Sequence, residues 1–294
     1  MMSRVVCFGE VLWDIFPTHK KIGGAPLNVA LRLKSFNNYV DIISAVGLDK
    51  AGKNLLDYLI SNDMSTEYIQ LLETFLTGEV KVELNSKGSA TYKIEYPRAW
   101  DKITLTTDAI HCVENADAMV FGSLVTRDET SRNTLFELLK YAKYKIFDLN
   151  LRPPYYNQSI LLYLMEASDF IKFNDDELYE VCAFMGYKHH SLEQNIQFIS
   201  EKTNTKHICV TKGSQGAVLL YNKSLYYNNG YKIKVVDTVG AGDSFLASLI
   251  SKLLSQVHPQ KAIDFACAVG ALVAQNEGAN PEISDAEITS FMKL

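Results

Sequence analysis

The sequence predicts an α/β domain whose central sheet is mainly parallel and covered by helices on both faces. Three observations predict it. Short apolar, β-branched runs alternate along most of the chain with stretches whose apolar residues recur at helical spacing, the pattern of strand–helix–strand crossovers. A chain of 294 residues with 47% hydrophobic and 21% charged residues has an ordinary globular composition, long enough for one large α/β domain with an insertion or for two domains. No internal repeat or low-complexity linker divides it, so a single unit is expected.

In chain order, 4-RVVCFG-9 is the first expected strand, and 25 to 36 is a helix opened by the glycines of 22-IGGAPLN-28. The strand 40-VDIISAVG-47 and a helix over 52 to 61 follow. Then come strands in 117-DAMVFGS-123, 145-KIFDLN-150 and 169-DFIKFN-174, with a helix over 128 to 143. A helix over 191 to 202 precedes the strands 207-HICVTKG-213 and 217-AVLLY-221, which are joined through Gly213 and Gly216. Lys234, Val235 and Val236 read as the end of another strand. After it, Phe245, Leu246, Leu249, Ile250, Leu253, Leu254 and Val257 mark a buried face of a helix over 241 to 257, and a last helix is expected over 259 to 276. One stretch breaks this rhythm. In 78-GEVKVELNSKGSATYKIEYPR-98, two period-two runs flank a turn containing Asn85, Lys87 and Gly88, which predicts an amphipathic hairpin. Its apolar face requires cover, either by packing on the main domain, by closing over a cleft, or by pairing with a second copy.

Charge and composition exclude several classes. The net charge of −5 is spread over mixed charges with no basic block, which argues against nucleic acid or an anionic membrane as partner. Cys7, Cys112, Cys182, Cys209 and Cys267 are odd in number, widely spaced and without a CxxC, the usage of reduced thiols in a cytoplasmic protein. The chain enters its first strand almost at once, and no apolar run reaches membrane-spanning length, so neither export nor insertion is expected.

The chemistry concentrates in 237-DTVGAGD-243, between the expected strand end and the helix. Gly240 and Gly242 permit a tight bend and remove side chains that would hold a ligand away, and the first N–H groups of the helix have no partners inside it. Such a helix start attracts anions, yet Asp243 sits among the donors, which suits an acid that handles a proton beside a phosphate. Other candidates fail. In 47-GLDKAGKN-54 a phosphate loop would carry Asn54 where a hydroxyl should be and an acid, Asp49, inside the cradle. A dinucleotide fingerprint from Gly240 meets Phe245 in place of its last glycine, there is no GxSxG elbow, and the six histidines show no zinc spacing.

Loops at the carboxyl ends of strands line the crevice of such sheets. Asp14 in 9-GEVLWDIFP-17 is therefore expected to meet Gly24 and Asn28 there, a set suited to the hydroxyls of a polyol or sugar, though each alone also reads as a turn residue or cap. Lys172 and Asn174 end a strand, and Glu177 falls in the next helical turn, where Asn174 and Glu177 also fit a capping box.

Taken in order, 23-GGAPLN-28, 47-GLDKAG-52, 174-NDDE-177, 211-TKGSQG-216 and 237-DTVGAGD-243 resemble the PfkB (ribokinase-like) family of carbohydrate kinases across essentially the whole chain. The resemblance implies a three-layer αβα fold with a small β-sheet lid, formed here by the hairpin and the segment near 11 to 17, and transfer of phosphate from ATP to a sugar or nucleoside hydroxyl. It implies Asp243 as catalytic base within an anion hole of Gly240, Ala241 and Gly242. Thr211, Gly213 and Gly216, with Lys172, Asn174 and Asn276, would face the nucleotide. Asn174 and Glu177 would hold Mg2+ largely through water, and the backbone at Asp237, Val239, Val273, Asn276 and Gly278 would hold K+. A homodimer built through the lid is a further expectation, and a non-catalytic sugar sensor on the same fold is the alternative from another class.

Within that family, 9-GEVLWDIFP-17, the GGAPLN form of the glycine motif, 95-EYPRAWD-101 and 148-DLNLRPPYY-156 are most similar to bacterial fructokinases, which implies D-fructose as acceptor. Asp14, Gly24 and Asn28 would then hold sugar hydroxyls beside Ala99 and Trp100. Arg98 and Arg152 are cations suited to phosphate or carboxylate partners, and this favours the alternative of an acidic sugar such as 2-keto-3-deoxygluconate; a nucleoside acceptor stays open as well.

Overall fold

The computed structural model describes residues 2–84 and 90–293. Among the described residues there are thirteen strands: β1 (Arg4–Phe8), β2 (Leu12–Ile15), β3 (Lys20–Gly23), β4 (Tyr39–Gly47), β5 (Ile69–Leu72), β6 (Gly78–Leu84), β7 (Ala90–Ile94), β8 (Ala118–Gly122), β9 (Lys145–Asp148), β10 (Phe170–Asn174), β11 (His207–Thr211), β12 (Ala217–Tyr221) and β13 (Ser224–Asn228). Nine of them form one sheet in the order β13-β12-β11-β10-β9-β8-β1-β4-β5. It is parallel from β5 to β11, with β12 and β13 antiparallel at one edge. The chain leaves β1 toward β4 on one side and returns to β8 on the other. The carboxyl end of β1 therefore lies at the switch point where such sheets bind ligands.

Alternation along the strands divides the core into two layers. Val6 and Phe8 face one layer with Ile43, Phe121, Phe147 and Phe173, while Val5 and Cys7 face the other with Ile42, Val120, Ile146 and Cys209. All five cysteines are free and buried, as expected of thiols used for packing. Among the described residues no helix is long and apolar enough to cross a membrane.

The remaining strands form a second sheet in the order β3-β2-β6-β7, so the hairpin and the segment after β1 belong together. Leu12 of β2, Val80 of β6 and Ile94 of β7 are buried with Ala99 and Trp100 in one of the main-domain layers, which seats this sheet on the larger one. Gly78 makes that seat possible, since a Cβ there would meet the Trp100 ring within 2.7 Å. The hairpin turn named above, 85 to 89, lies outside the described residues. A buried ion pair locks the base: Arg127, just beyond β8, donates from Nε and Nη2 to the two Asp101 oxygens at 2.7 and 2.8 Å and from Nη2 to the Glu95 carbonyl. Its guanidinium lies 4.1 Å from the Trp100 ring.

Some expectations require correction. Lys234–Val236 is not a strand: Val235 and Val236 are more than half exposed, and the Val236 N–H bonds the Ala274 carbonyl instead of a neighbouring strand. The helix expected over 128 to 143 closes earlier, at Glu129–Leu138, and the helices Thr107–Asn115, Gln158–Glu166 and Asp285–Phe291 were not foreseen. The segment near 11 to 17 does enter the small sheet, as β2, whereas β3, β5 and β13 were missed; each is short and mixes exposed with half-buried residues, so no period shows. In the rejected phosphate loop, Asp49 caps the helix Lys50–Ser61 and holds Thr77 through its N–H and hydroxyl, a structural use.

Removing one member of a desolvated ion pair strands the other. Asp101→Ala is therefore expected to lower unfolding free energy by about 3–5 kcal/mol in a urea titration; a loss under 1 kcal/mol would show that Arg127 does not depend on it.

Candidate active site

The helix Ala241–Leu254 begins at the crevice. Its N-cap, Gly240, has φ 74°, and a Cβ there would press on Ala279, so glycine satisfies both a left-handed backbone and a close approach. The Ser244 N–H closes the first helical bond onto the Gly240 carbonyl and the Ala241 N–H turns back to Thr238. By helix geometry the Gly242 and Asp243 N–H groups are left as donors at the positive end of the dipole.

Asp243 lies partly buried in this first turn, and its Oδ2 accepts a 2.8 Å hydrogen bond from Asn28 Nδ2. Burial, then the charge of Asp148, push its carboxyl up to about 6, against the pull of Asn28, Lys172 and Arg152. The helix field alone would make it a weak base; burial reverses that expectation. Under the loop, Lys172 is 6% exposed and its Nζ is 2.9 Å from Asp148 Oδ1. Burial works against the Lys172 charge, but Asp148, Glu177 and Asp243 outweigh it and hold the amine above its usual value. A Cβ on Gly242 would stand 3.5 Å from Lys172 Nζ, which places this ammonium directly behind the loop.

Asn174 and Glu177 do form a capping box at the helix Asp175–Phe184, and Glu177 also accepts the Leu151 N–H through Oε1. Burial raises its carboxyl, opposed first by Lys172. Beside it, Asp148 Oδ2 is buried without a hydrogen-bond partner among the described residues.

On the acceptor side, Asp14 on β2 is pushed up to about 6, chiefly by burial, with Arg152 opposing and Asp243 reinforcing. Gly24 caps the helix Ala25–Ser35 with φ 107° and no room for a side chain against the Glu10 carbonyl. Arg152 is exposed yet acts on Glu10, Asp14 and Asp243 together. Arg98 is not brought here: its Nη2 is 3.7 Å from Glu79 Oε2 at the base of the small sheet, and it is absent from the charges acting on those three carboxyls.

Thr211, Gly213, Gly216 and Gly242 line a mostly apolar cavity of about 240 Å³, walled by Phe245 and Cys267. Asn276 is not among its lining residues, because its side chain donates to the Leu272 carbonyl at the end of its own helix. Asp237 ties the remaining loops together, its Oδ1 accepting the Val239 N–H and its Oδ2 the Gly278 N–H, both at 3.0 Å. Lys21 Nζ approaches the same Oδ2 to 3.7 Å, so an ammonium already stands beside the loops expected to hold a monovalent cation. The Val273 carbonyl of that set accepts the Asn276 N–H.

The sequence reading missed Glu10, Asp148, Lys21 and Asn280. Glu10 is 2% exposed, its Oε2 has no partner among the described residues, and burial pushes its carboxyl up to about 7. Its signal was available: it follows β1 as an acid at a strand's carboxyl end, the same rule that selected Asp14. Asn280 carried no local signal, since it joins the site through Asn28, 252 positions away.

Residues 2–286 match the pfkB family carbohydrate kinase model. The fructokinase of Escherichia coli is 25% identical over 299 residues, covering 95% of each chain. A sugar kinase of Pyrococcus horikoshii, solved with ATP, superposes with a TM-score of 0.81 at 26% identity over 94% of this chain and 93% of that one. A fructokinase double mutant of Vibrio cholerae, solved with fructose, ADP and a potassium ion, gives a TM-score of 0.84 at 23% identity over 99% of this chain and 98% of that one. The fold is thus the three-layer ribokinase-like one, with a small second sheet.

A carboxyl raised by burial binds its proton more tightly folded than unfolded, so its stabilising effect is full below the unfolded value near 4 and is lost as pH rises through about 6. Asp243→Asn removes that loss. The variant is expected to be more stable than the parent at pH 8, by about 1–3 kcal/mol, with a smaller difference at pH 4.5; an unchanged or lower Tm at pH 8 would refute the charge strain.

Proposed function

Because this chain belongs to the pfkB family of carbohydrate kinases, we propose that it transfers the γ-phosphoryl group of ATP to D-fructose, giving D-fructose 6-phosphate. The observation that carries the reading is Asp243 itself, in the first turn of a helix whose Gly242 lines the cavity of about 240 Å³, with its charge felt by the carboxyls of Glu10 and Asp14. A non-catalytic sensor would have no need of that combination.

In this reading the adenine side of ATP enters the cavity bounded by Thr211, Gly213 and Gly216, and its phosphates run toward the helix start. Phosphoryl transfer passes through a loose transition state whose charge gathers on the oxygens of the moving group. The Gly242 and Asp243 N–H groups and the Lys172 ammonium meet that charge without reorganising. Asp243 accepts the proton of the attacking hydroxyl on Oδ1 while Asn28 holds Oδ2. The unpartnered Asp148 Oδ2, with Glu177 and Asn174, offers the hard oxygen set that suits Mg2+, which would supply positive charge to the ATP phosphates. The sequence resemblance and the relatives named fructokinase support the sugar.

Arg152 favours a second reading, an acidic sugar such as 2-keto-3-deoxygluconate. The charge count opposes it: Arg152 already faces Glu10, Asp14 and Asp243, so a further carboxylate would enter a field that is net negative when these are ionised. Asp14, Gly24 and Asn28 suit hydroxyls better, with Gly24 leaving the backbone open to the ligand. The small sheet is proposed as the lid that excludes water, and its two edge strands β3 and β7 as the surface through which two copies pair. The cell cytoplasm is the compartment proposed, from the reduced, buried thiols.

An ADP-release assay over fructose, ribose, 2-keto-3-deoxygluconate, tagatose 6-phosphate and adenosine tests the acceptor. Fructose is expected to give the highest kcat/KM, with an acidic limb near pH 6 as Asp243 ionises; another sugar leading the panel would overturn fructose. In the same assay Asp243→Asn should lower kcat by roughly a hundredfold or more, and near-normal turnover in the folded variant would remove Asp243 as base.

Activity should vanish with a chelator of divalent ions. Potassium should stimulate it, and more strongly in Lys21→Ala, where the neighbouring ammonium is gone; equal rates in potassium and in a large organic cation, for both proteins, would refute the monovalent site.

A further inference from the structure

We propose that Asn280 is a positioning residue for Asp243, acting through Asn28. Asn280 Nδ2 donates to Asn28 Oδ1 at 2.9 Å, and Asn28 Nδ2 donates to Asp243 Oδ2 at 2.8 Å. The polarity of this chain follows from the charge at its end. An ionised carboxylate only accepts, so Asn28 must present its NH2 to Asp243 and turn its oxygen away. That oxygen then needs a donor, and Asn280 supplies it. The second oxygen of Asp243 is left for the acceptor hydroxyl.

The segment carrying Asn280 is fastened to the helix start on either side of this contact. Arg32, 3% exposed, donates from Nε to Ser244 Oγ at 3.1 Å and from Nη2 to the Pro281 carbonyl at 2.9 Å, bridging the neighbours of Asp243 and Asn280. On the other side Ala279 packs against Gly240, where no Cβ intervenes. Asn280 itself is not retained in place by a full set of bonds, because its Oδ1 is buried without a partner among the described residues. A buried orphan acceptor costs stability, and an apolar side chain of similar size would avoid it. The position therefore supplies its donor to Asn28 at the expense of its acceptor. Without that donor the Asn28 amide is free to flip, and its oxygen would then face the carboxylate it now holds.

The inference rests on Asp243 being the base, and the experiment separates the two. Asn280→Asp keeps the size of the side chain but, ionised, cannot donate. It is expected to lower kcat about tenfold to a hundredfold, to leave the KM for ATP unchanged, and to move the acidic limb of kcat to higher pH, since Asp243 loses the bond that favours its charged form. Asn280→Ala should show the same shift with a smaller loss, which covers the case of an unfolded Asp variant. In an Asn28→Ala background, Asn280→Ala should have no further effect on kcat. Parental kcat and pH profile in Asn280→Asp, or losses that multiply in the double variant, would overturn the proposal. If Asp243→Asn turns over normally the base assignment fails instead; an inactive Asp243→Asn beside a normal Asn280→Asp overturns only the role of Asn280.

Discussion

The site depends on keeping one carboxylate charged in a place that disfavours its charge. Asp243 is raised from 3.8 to about 6 by burial and by Asp148, a difference that costs about 2–3 kcal/mol when the group is ionised at neutral pH. Each neighbouring group can be understood as a response. Asn28 donates to one oxygen, the Lys172 ammonium lies beneath, and Arg152 faces it from the acceptor side. Lys172 in turn needs Asp148 to be tolerated at 6% exposure, and Asp148 is the very group that raises Asp243. If Asp243 is the base, as proposed, the arrangement is a compromise between a base useful near neutral pH and a helix start that would otherwise keep it too weakly basic.

The fold was legible wherever a segment was long and buried on both sides. Strands such as β4 and β10 announced themselves because nearly every residue faces a packed layer, while β13, an edge strand with Ser224 and Leu225 exposed, carried no period to read. Val235 and Val236 misled for the opposite reason: exposed β-branched residues imitate a strand until their exposure is known. In the site, residues tied to a loop motif were legible, as Gly240 and Asp243 were. Those whose use depends on distant partners were not. Nothing local distinguishes Asn280 from any loop asparagine, and nothing local separates Arg98 from Arg152 until one is seen beside Glu79 and the other among the acceptor carboxyls.

The two sheets are coupled by a cation that lies outside the proposed reaction. Arg127 leaves the β8 end of the large sheet and binds Asp101 and the Glu95 carbonyl at the base of the small one, with Trp100 against its face. Its Nη1 is buried and unpartnered among the described residues, as are Trp100 Nε1 and Glu10 Oε2. Against that cost, the satisfied bonds from Arg127 to both Asp101 oxygens and to the Glu95 carbonyl stiffen the root of the small sheet. Leu12 and Val80 are buried beside this root, so β2 and β6 are seated on the larger sheet at the same place.

The pairing of residues from opposite ends of the chain has a consequence for how the protein comes into being. Asn28 and Asp14 emerge from the ribosome early, and nearly the whole sheet can assemble before the stretch from Asp237 to Pro281 has been translated. The loop at Gly240 then has to be inserted against strand ends already in place, and Ala279, Asn280 and Pro281 close over it last. In the proposed reading the base is therefore in place before its clamp: a chain halted before residue 279 would carry Asp243 and Asn28 without the donor that Asn280 supplies.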